Sequence, residues 1–196
     1  KDKLYQSALH LYQAKDAIES HLSKRTNELF DLEDTVLLYD LTNTYFEGRK
    51  EGSKIAKFGR SKEKRTDAKL VVLALVVNVE GFIKYSQLFE GNQSDSTSLP
   101  KIIDALRAKT SNDNRATVVL DAGIATEENL QLLQNKGYDY VCVSRSKLKE
   151  YSIANSSPTQ SVKSNTGETI SLQKVETPTN SDYYLKIDSP GKKAKE

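Results

Sequence analysis

Two aspartates each follow a short apolar run of the kind that forms an inner strand of a sheet. Asp40 comes directly after residues 36–39, and Asp121 comes directly after residues 118–120. A carboxylate that is taken out of water alone must change its protonation, pair with a cation or bind a metal. If the two strands are neighbours, the carboxylates repel each other unless a positive charge lies between them. The pair predicts a Mg²⁺ or Mn²⁺ site, because these cations prefer oxygen ligands and no His or Cys favours zinc.

Each aspartate alone also has an ordinary structural explanation. Asp121 could hydrogen-bond the backbone of its own turn, and Asp40 could pair with a nearby basic side chain. Thr42 and Asn43, which follow Asp40, could orient metal ligands or could be ordinary polar residues at the end of a strand. The metal interpretation therefore depends on whether both acids lie side by side.

A basic segment, residues 49–69, follows the first aspartate. It contains nine lysines and arginines and three acids, a local net charge of +6, whereas the whole chain has a net charge of +2. Glycines and serines interrupt it, which predicts a mobile loop. Charge runs are usually solvated surface, but a position beside a metal site favours contact with phosphate groups. The predicted nucleic-acid-binding residues are Lys54, Lys57, Arg60, Lys62, Lys64 and Arg65.

The elements that must position these residues follow from the apolar patterns. The patterns predict helix up to about residue 30, the strand of Asp40, a hairpin turned at Glu80-Gly81, and then helix, strand, helix and strand up to about residue 145. A strand that returns through a helix lies parallel to the first, which predicts an α/β sheet with helices on its faces. Ligands collect at the carboxyl ends of such parallel strands, where both aspartates fall. No apolar run is long enough for a membrane span, and a single cysteine excludes a disulfide framework.

Three stretches together carry a resemblance to a known family: YDLTNTYFEG, LFEGNQSDSTSLP and VVLDAGIATEENLQLLQNKGYDYV. They resemble the ribonuclease H-like catalytic core of bacterial insertion-sequence transposases of the Asp-Asp-Glu class, in the branch whose core carries a β-rich insertion. The resemblance implies a mixed five-stranded sheet of order 3-2-1-4-5, with Asp40 and Asp121 as catalytic aspartates and metal ligands. It also implies a third catalytic residue, a glutamate on a helix after the insertion. The sequence contains no counterpart of that helix, so we expect a fragment with two of the three catalytic residues.

The resemblance also predicts how the chain is divided. Residues 1–34 are expected to form an N-terminal helical segment, residues 35–150 the first part of the catalytic core, and residues 151–196 the start of the β-rich insertion. The last prediction also agrees with the sequence, because β-forming residues alternate there with Asn, Gly and Pro breaks.

The function that the resemblance implies is DNA transposition. Two-metal phosphoryl transfer with Mg²⁺ or Mn²⁺ would cleave transposon ends and join them to target DNA, and this piece alone would be inactive. The implied partners are double-stranded DNA and a second copy of the chain in an active homodimer, in the cytoplasm of a bacterium and away from membranes. Two alternatives stay open at this point. One is a ribonuclease H-like nuclease without strand transfer, and the other is an inactive remnant that binds DNA or a partner through the basic segment.

Overall fold

The computed structural model of the chain divides into two compact units, residues 1–145 and 146–196. Within the part that is described, every helix falls short of the length and hydrophobicity that a membrane crossing requires. The structure describes residues 2–60, 66–109, 116–144, 148, 150–154, 158–178 and 180–193.

The first unit begins with two helices, continues with three strands and ends with alternating helices and strands. Its elements are α1 (Asp2–Gln13), α2 (Lys15–Phe30), β1 (Val36–Tyr45), β2 (Leu70–Asn78), β3 (Ile83–Glu90), a 3₁₀ helix (Asp95–Thr97), α3 (Leu99–Lys109), β4 (Thr117–Leu120), α4 (Glu127–Asn135) and β5 (Asp139–Cys142). The order of helices and strands predicted from the apolar patterns is confirmed.

The five strands form one mixed sheet in the order β3-β2-β1-β4-β5. β1 pairs antiparallel with β2 and parallel with β4, and β4 pairs parallel with β5. The tight turn between β2 and β3 uses Gly81 at φ 87°, a conformation that glycine adopts without strain. The helical connections return the chain in the same direction, which makes β4 and β5 parallel to β1. The predicted fold, an α/β sheet of order 3-2-1-4-5 with flanking helices, is confirmed.

The main core lies on one face of this sheet. Leu37, Tyr39 and Leu41 alternate along β1 and point into it, because successive side chains of a strand face opposite sides. α3 and α4 cover this face through apolar side chains, chiefly Leu99, Ile102, Ile103, Leu106 and Leu133. Tyr39 and Leu41 thus face the core, and Asp40, which lies between them, faces the opposite side of the sheet.

A buried ion pair attaches the N-terminal helices to the other face of the sheet at β3. Lys84 Nζ lies 2.8 Å from Asp34 Oδ1, and the two side chains are only 1% and 4% exposed. The amide of Asn27 on α2 completes the group, because its Oδ1 accepts from Lys84 Nζ at 2.6 Å and its Nδ2 donates to Asp34 Oδ2 at 3.0 Å. Buried charges persist only when they are paired and hydrogen-bonded in this way. The group therefore holds α2 against the sheet edge.

The second unit is an antiparallel β-structure. Its strands are β6 (Ser152–Ile153), β7 (Gln160–Lys163), β8 (Thr169–Thr177) and β9 (Asn180–Asp188), followed by the short helix α5 (Pro190–Lys193). β8 is the central strand and pairs with the other three. The β-forming pattern recognised in the sequence after residue 150 is confirmed, whereas the predicted domain boundaries and the assignment as an insertion stay predictions.

Candidate active site

The register of β1 against β4 brings the two aspartates together. Tyr39 lies opposite Leu120, so Asp40 and Asp121 are the next residues on the two neighbouring parallel strands. Tyr39 and Leu120 are buried in the core, so Asp40, which lies inside β1, points to the opposite face, whereas Asp121 follows the end of β4. Paired strands lie about 4.8 Å apart, so the backbones of the two aspartates are neighbours. The backbones of the two aspartates thus lie side by side, and both the metal site and the catalytic role of the pair stay predictions.

The expectation that these carboxylates are buried was wrong. Asp40 and Asp121 are both exposed. The apolar run before Asp40 contains inward residues that α3 and α4 cover, but no described element covers the other face of β1 at this point, where Leu38 is 38% exposed. Desolvation therefore gives no reason for a partner cation. The remaining electrostatic reason is the repulsion between two neighbouring negative charges.

The backbone orients Asp40 locally. The N–H of Leu41 donates to Asp40 Oδ1 at 2.7 Å. Thr42 is exposed on the same face as Asp40, two residues along the strand. Asn43 points to the other face and donates its Nδ2 to the carbonyl oxygen of Arg60 at 3.2 Å. Of the two residues considered for orienting metal ligands, only Thr42 shares the face of the acids.

Asp121 begins a tight turn that leads into α4. Its carbonyl oxygen accepts from the N–H groups of Ile124 and Ala125, at 3.0 and 3.1 Å. Thr126 then caps α4, and its Oγ1 accepts from the N–H of Asn129 at 3.3 Å. The turn and the helix cap together fix the backbone from which the Asp121 carboxylate projects.

A third acid, Asp95, borders the site and was not identified from the sequence. A Cβ atom on Gly123 would lie 3.2 Å from Asp95 Oδ2 and 3.6 Å from Asp121 Oδ2. Both carboxylates therefore approach the same glycine. Within the residues that the structure describes, however, no group of three His, Cys, Asp or Glu side chains is placed to hold a metal ion. The candidate metal ligands remain Asp40 and Asp121.

Part of the basic segment is built onto the sheet. Lys57 and Leu70 exchange two backbone hydrogen bonds, at 3.1 and 2.8 Å, and the N–H of Gly91 donates to the carbonyl oxygen of Ile55 at 3.1 Å. The described residues between β1 and β2 form no helix or strand, in agreement with the predicted loop, but the bridge at Lys57 attaches them to the sheet. The mobility of the loop stays a prediction. Lys54, Lys57 and Arg60 are exposed, whereas Lys62, Lys64 and Arg65 lie outside the described residues.

The pairing of β1 with β2 gives the distance from Asp40 to the basic segment. Leu70, the partner of Lys57, also pairs with Tyr45, which lies five residues beyond Asp40 on β1. At a rise of about 3.3 Å per residue, the backbone of Lys57 is on the order of 17 Å from Asp40 along the strand.

Two glycines make this attachment possible. A Cβ atom on Gly91 would overlap the carbonyl oxygens of Leu70 and Lys57, and one on Gly59 would overlap the carbonyl oxygen of Gly91. Three backbone segments thus meet more closely than any side chain allows. Gly91 belongs to the LFEGN stretch that contributed to the family resemblance, so its role here is to dock the basic segment.

Replacing Gly91 with alanine should destabilise the first unit. Backbone must shift to admit the methyl group, and overpacking of this kind typically costs about 1–3 kcal/mol. Urea unfolding of the 196-residue chain measures this cost, and hydrogen exchange of the Lys57 and Leu70 amides should become faster. Gly52→Ala is the matched control, since a Cβ atom there meets nothing within 4 Å. Equal stability of the two variants would contradict the close approach of the three backbones.

Comparison with known proteins adds a family match. A family model described as "Transposase DDE domain" matches residues 31–188. A solved structure entitled "Cryo-EM structure of piggyBac transposase synaptic complex with hairpin DNA (SNHP)" matches with a TM-score of 0.41 and 13% sequence identity. The match covers 81% of this chain and 33% of the other, so this chain spans about a third of the length of that one. Comparison with curated protein sequences gave no match.

Proposed function

We propose that this chain, which belongs to the family of transposase DDE domains, provides two catalytic aspartates of a DNA transposase. The reaction is phosphoryl transfer, in which a DNA strand is cleaved at a transposon end and the freed 3′-hydroxyl attacks target DNA. The observation that carries the proposal is the placement of two exposed aspartates side by side, Asp40 on β1 and Asp121 directly after the neighbouring parallel strand β4. A scissile phosphate can reach both carboxylates, because both side chains are exposed.

The donor atoms of the site fit a hard divalent cation. Asp40 and Asp121 offer carboxylate oxygens, which suit Mg²⁺ or Mn²⁺, and the exposed face leaves room for the water ligands that Mg²⁺ retains. Such a cation, when bound, supplies positive charge that activates the attacking oxygen and stabilises the leaving one. The chain contributes two carboxylates whose backbones are held close together, since β1 and β4 are paired in one hydrogen-bonded sheet.

Two carboxylates make an incomplete set for this chemistry. The resemblance implies a third, a glutamate, which would have to reach the same face of the sheet as Asp40 and Asp121. We therefore expect the 196-residue chain to bind Mg²⁺ or Mn²⁺ weakly and not to cleave DNA by itself, because the affinity of hard cations grows with the number of charged oxygen ligands.

Double-stranded DNA is the proposed partner, in the form of transposon ends and target. The basic segment supplies its electrostatic contact, with Lys54, Lys57 and Arg60 exposed near the end of β1. A transposon has two ends, so we propose that two copies of the protein act together. The charge of the segment predicts binding through phosphates, which does not depend on base sequence.

The test of this function is strand cleavage by the complete gene product, with labelled transposon-end duplex and supercoiled plasmid as substrates and Mg²⁺ or Mn²⁺ in the buffer. Cleavage followed by joining of the 3′ end to a second duplex supports the proposal. Cleavage without joining would instead indicate a nuclease, and DNA binding without cleavage would indicate an inactive remnant.

Removing the charge of the basic segment should weaken DNA binding equally for all sequences. The variant replaces Lys57, Arg60, Lys62 and Arg65 with alanine. If these residues neutralise four phosphates, the slope of log K against log salt should fall in magnitude by about 3.6, since each phosphate contact contributes about 0.9. The measurement is the affinity for two unrelated duplexes between low and moderate salt.

A control variant separates this effect from general loss of charge. It replaces four basic residues outside the basic segment: Lys3, Lys24 and Arg25 on α1 and α2, and Lys136 directly after α4. Its salt slope should change far less than that of the segment variant. Equal salt slopes for the two variants would mean that the basic segment is solvated surface and does not contact DNA phosphates.

A further inference from the structure

We infer that Asn129 is a positioning residue that fixes Asp121 for metal binding. The inference rests on the proposed function, since it concerns one of the two proposed metal ligands. Asn129 is only 3% exposed, although it lies in the first turn of a surface helix. A buried amide of this kind needs partners for its polar atoms, and its partners identify its role.

The two N–H donors of the Asn129 side chain join two separate segments. Nδ2 lies 2.7 Å from the carbonyl oxygen of Ile124, in the turn after Asp121, and 2.8 Å from the carbonyl oxygen of Ser96, in the 3₁₀ helix. The N–H of Ile124 in turn donates to the carbonyl oxygen of Asp121. Asp121 is therefore two hydrogen bonds away from the Asn129 amide.

The same network continues to the strand of the other acid. Ser98 is fully buried, and its Oγ donates to the carbonyl oxygen of Asp95 at 2.6 Å and accepts from the hydroxyl of Tyr39 at 2.8 Å. Tyr39 directly precedes Asp40. Hydrogen bonds from Asn129 and from Tyr39 thus meet at residues 95–98, which connect the turn after Asp121 with the strand of Asp40.

Asp121 needs this support more than Asp40 does. Asp40 lies inside the ten-residue strand β1, where it and the residues before and after it pair with β2. Asp121 lies one residue beyond the last paired residue of the four-residue strand β4. The turn after Asp121, not a strand ladder, sets the direction of its side chain. Groups that orient metal ligands typically change metal affinity about 10- to 100-fold when they are removed.

The test is Mn²⁺ binding by the 196-residue chain, followed by the electron paramagnetic resonance signal of free Mn²⁺. Asn129→Ala should raise the Mn²⁺ dissociation constant about tenfold. Hydrogen exchange of the Ile124 and Ala125 amides should accelerate in the same variant, which gives a readout that needs no metal. Asn129→Ser retains one donor and should give a smaller loss, and it serves as the probe if the alanine variant does not fold.

Asn27→Ala is the matched control. Asn27 also bridges two segments through its side-chain amide, but it does so between α2, Asp34 and β3, away from the aspartates. It should lower stability without changing the Mn²⁺ dissociation constant. A similar loss of Mn²⁺ affinity in Asn27→Ala and Asn129→Ala would overturn the inference, because it would show a general effect of instability.

Two further variants distinguish failure of the inference from failure of the proposed function. If Asp40→Asn and Asp121→Asn leave Mn²⁺ binding unchanged, the proposed metal site is wrong and the inference falls with it. If Asp121→Asn weakens Mn²⁺ binding but folded Asn129→Ala does not, the metal site stands and the positioning role of Asn129 is wrong.

Discussion

Asparagine in place of Asp40 or Asp121 should lower the rate of DNA strand cleavage by the complete gene product at least about a thousandfold. Each substitution keeps the shape of the side chain but removes the charge that would hold a divalent cation. A metal ion contributes several kcal/mol to stabilising the transition state, and each 1.4 kcal/mol corresponds to a factor of ten in rate. DNA affinity should be unchanged or slightly increased, because a negative charge is removed near the phosphates.

The measurement compares single-turnover cleavage of a labelled transposon-end duplex, with binding to the same duplex measured separately. Asp104→Asn is the matched control, since Asp104 is an exposed aspartate on α3 that pairs with Lys136. It should cleave at the rate of the unmodified protein. Metal-dependent cleavage that survives in Asp40→Asn would remove the basis of the two-aspartate site.

The elements of the sheet were predictable because their patterns are local. β2 reads as a continuous apolar run, LVVLALVV, and the structure places it second in the sheet between β3 and β1. The turn at Gly81 and the acids Glu127 and Glu128 at the start of α4 are likewise signals carried by adjacent residues. The strand order itself came from the family resemblance, with the parallel returns argued from the helical connections.

The exposure of the acids was not predictable from the strand. Leu37 and Leu38 are adjacent and chemically identical, yet the first is fully buried and the second is 38% exposed. Alternation along a strand tells which residues share a face, but coverage of that face depends on elements distant in the sequence. The side-by-side placement of Asp40 and Asp121 could be predicted, whereas their contact with solvent could not.

The roles of Asn129, Gly59 and Gly91 could not be predicted from the sequence for a related reason. Asn129 reads as an ordinary polar residue of a surface helix, and its function follows from carbonyl groups in two other segments. Gly59 and Gly91 read as loop punctuation, and their close approach is a property of backbone atoms that all residues share. The basic segment was interpreted from its charge alone, and the pairing of Lys57 with Leu70 was not predicted.

Methionine in place of Lys84 should lower the free energy of unfolding of the chain by about 3–5 kcal/mol. The substitution leaves the carboxylate of Asp34, which is 4% exposed, without its cation at 2.8 Å. Removing one partner of a buried ion pair is destabilising, because the remaining charge is desolvated and no opposite charge compensates it. Asn27 also loses the donor to its Oδ1, so one amide oxygen is left without this bond. Urea unfolding followed by circular dichroism measures the loss.

Two further variants test whether burial of the ion pair causes this loss of stability. Lys136→Met breaks the ion pair with Asp104 at 2.6 Å, whose side chains are 34% and 68% exposed, and it should cost less than about 1 kcal/mol. Adding Asp34→Leu to Lys84→Met should restore much of the stability, since a buried ion pair can often be replaced by apolar residues without loss. Equal costs for Lys84→Met and Lys136→Met would mean that water reaches the Asp34 carboxylate. In that case packing alone, and not the ion pair, would hold α2 against β3, the strand at the opposite edge of the sheet from β5.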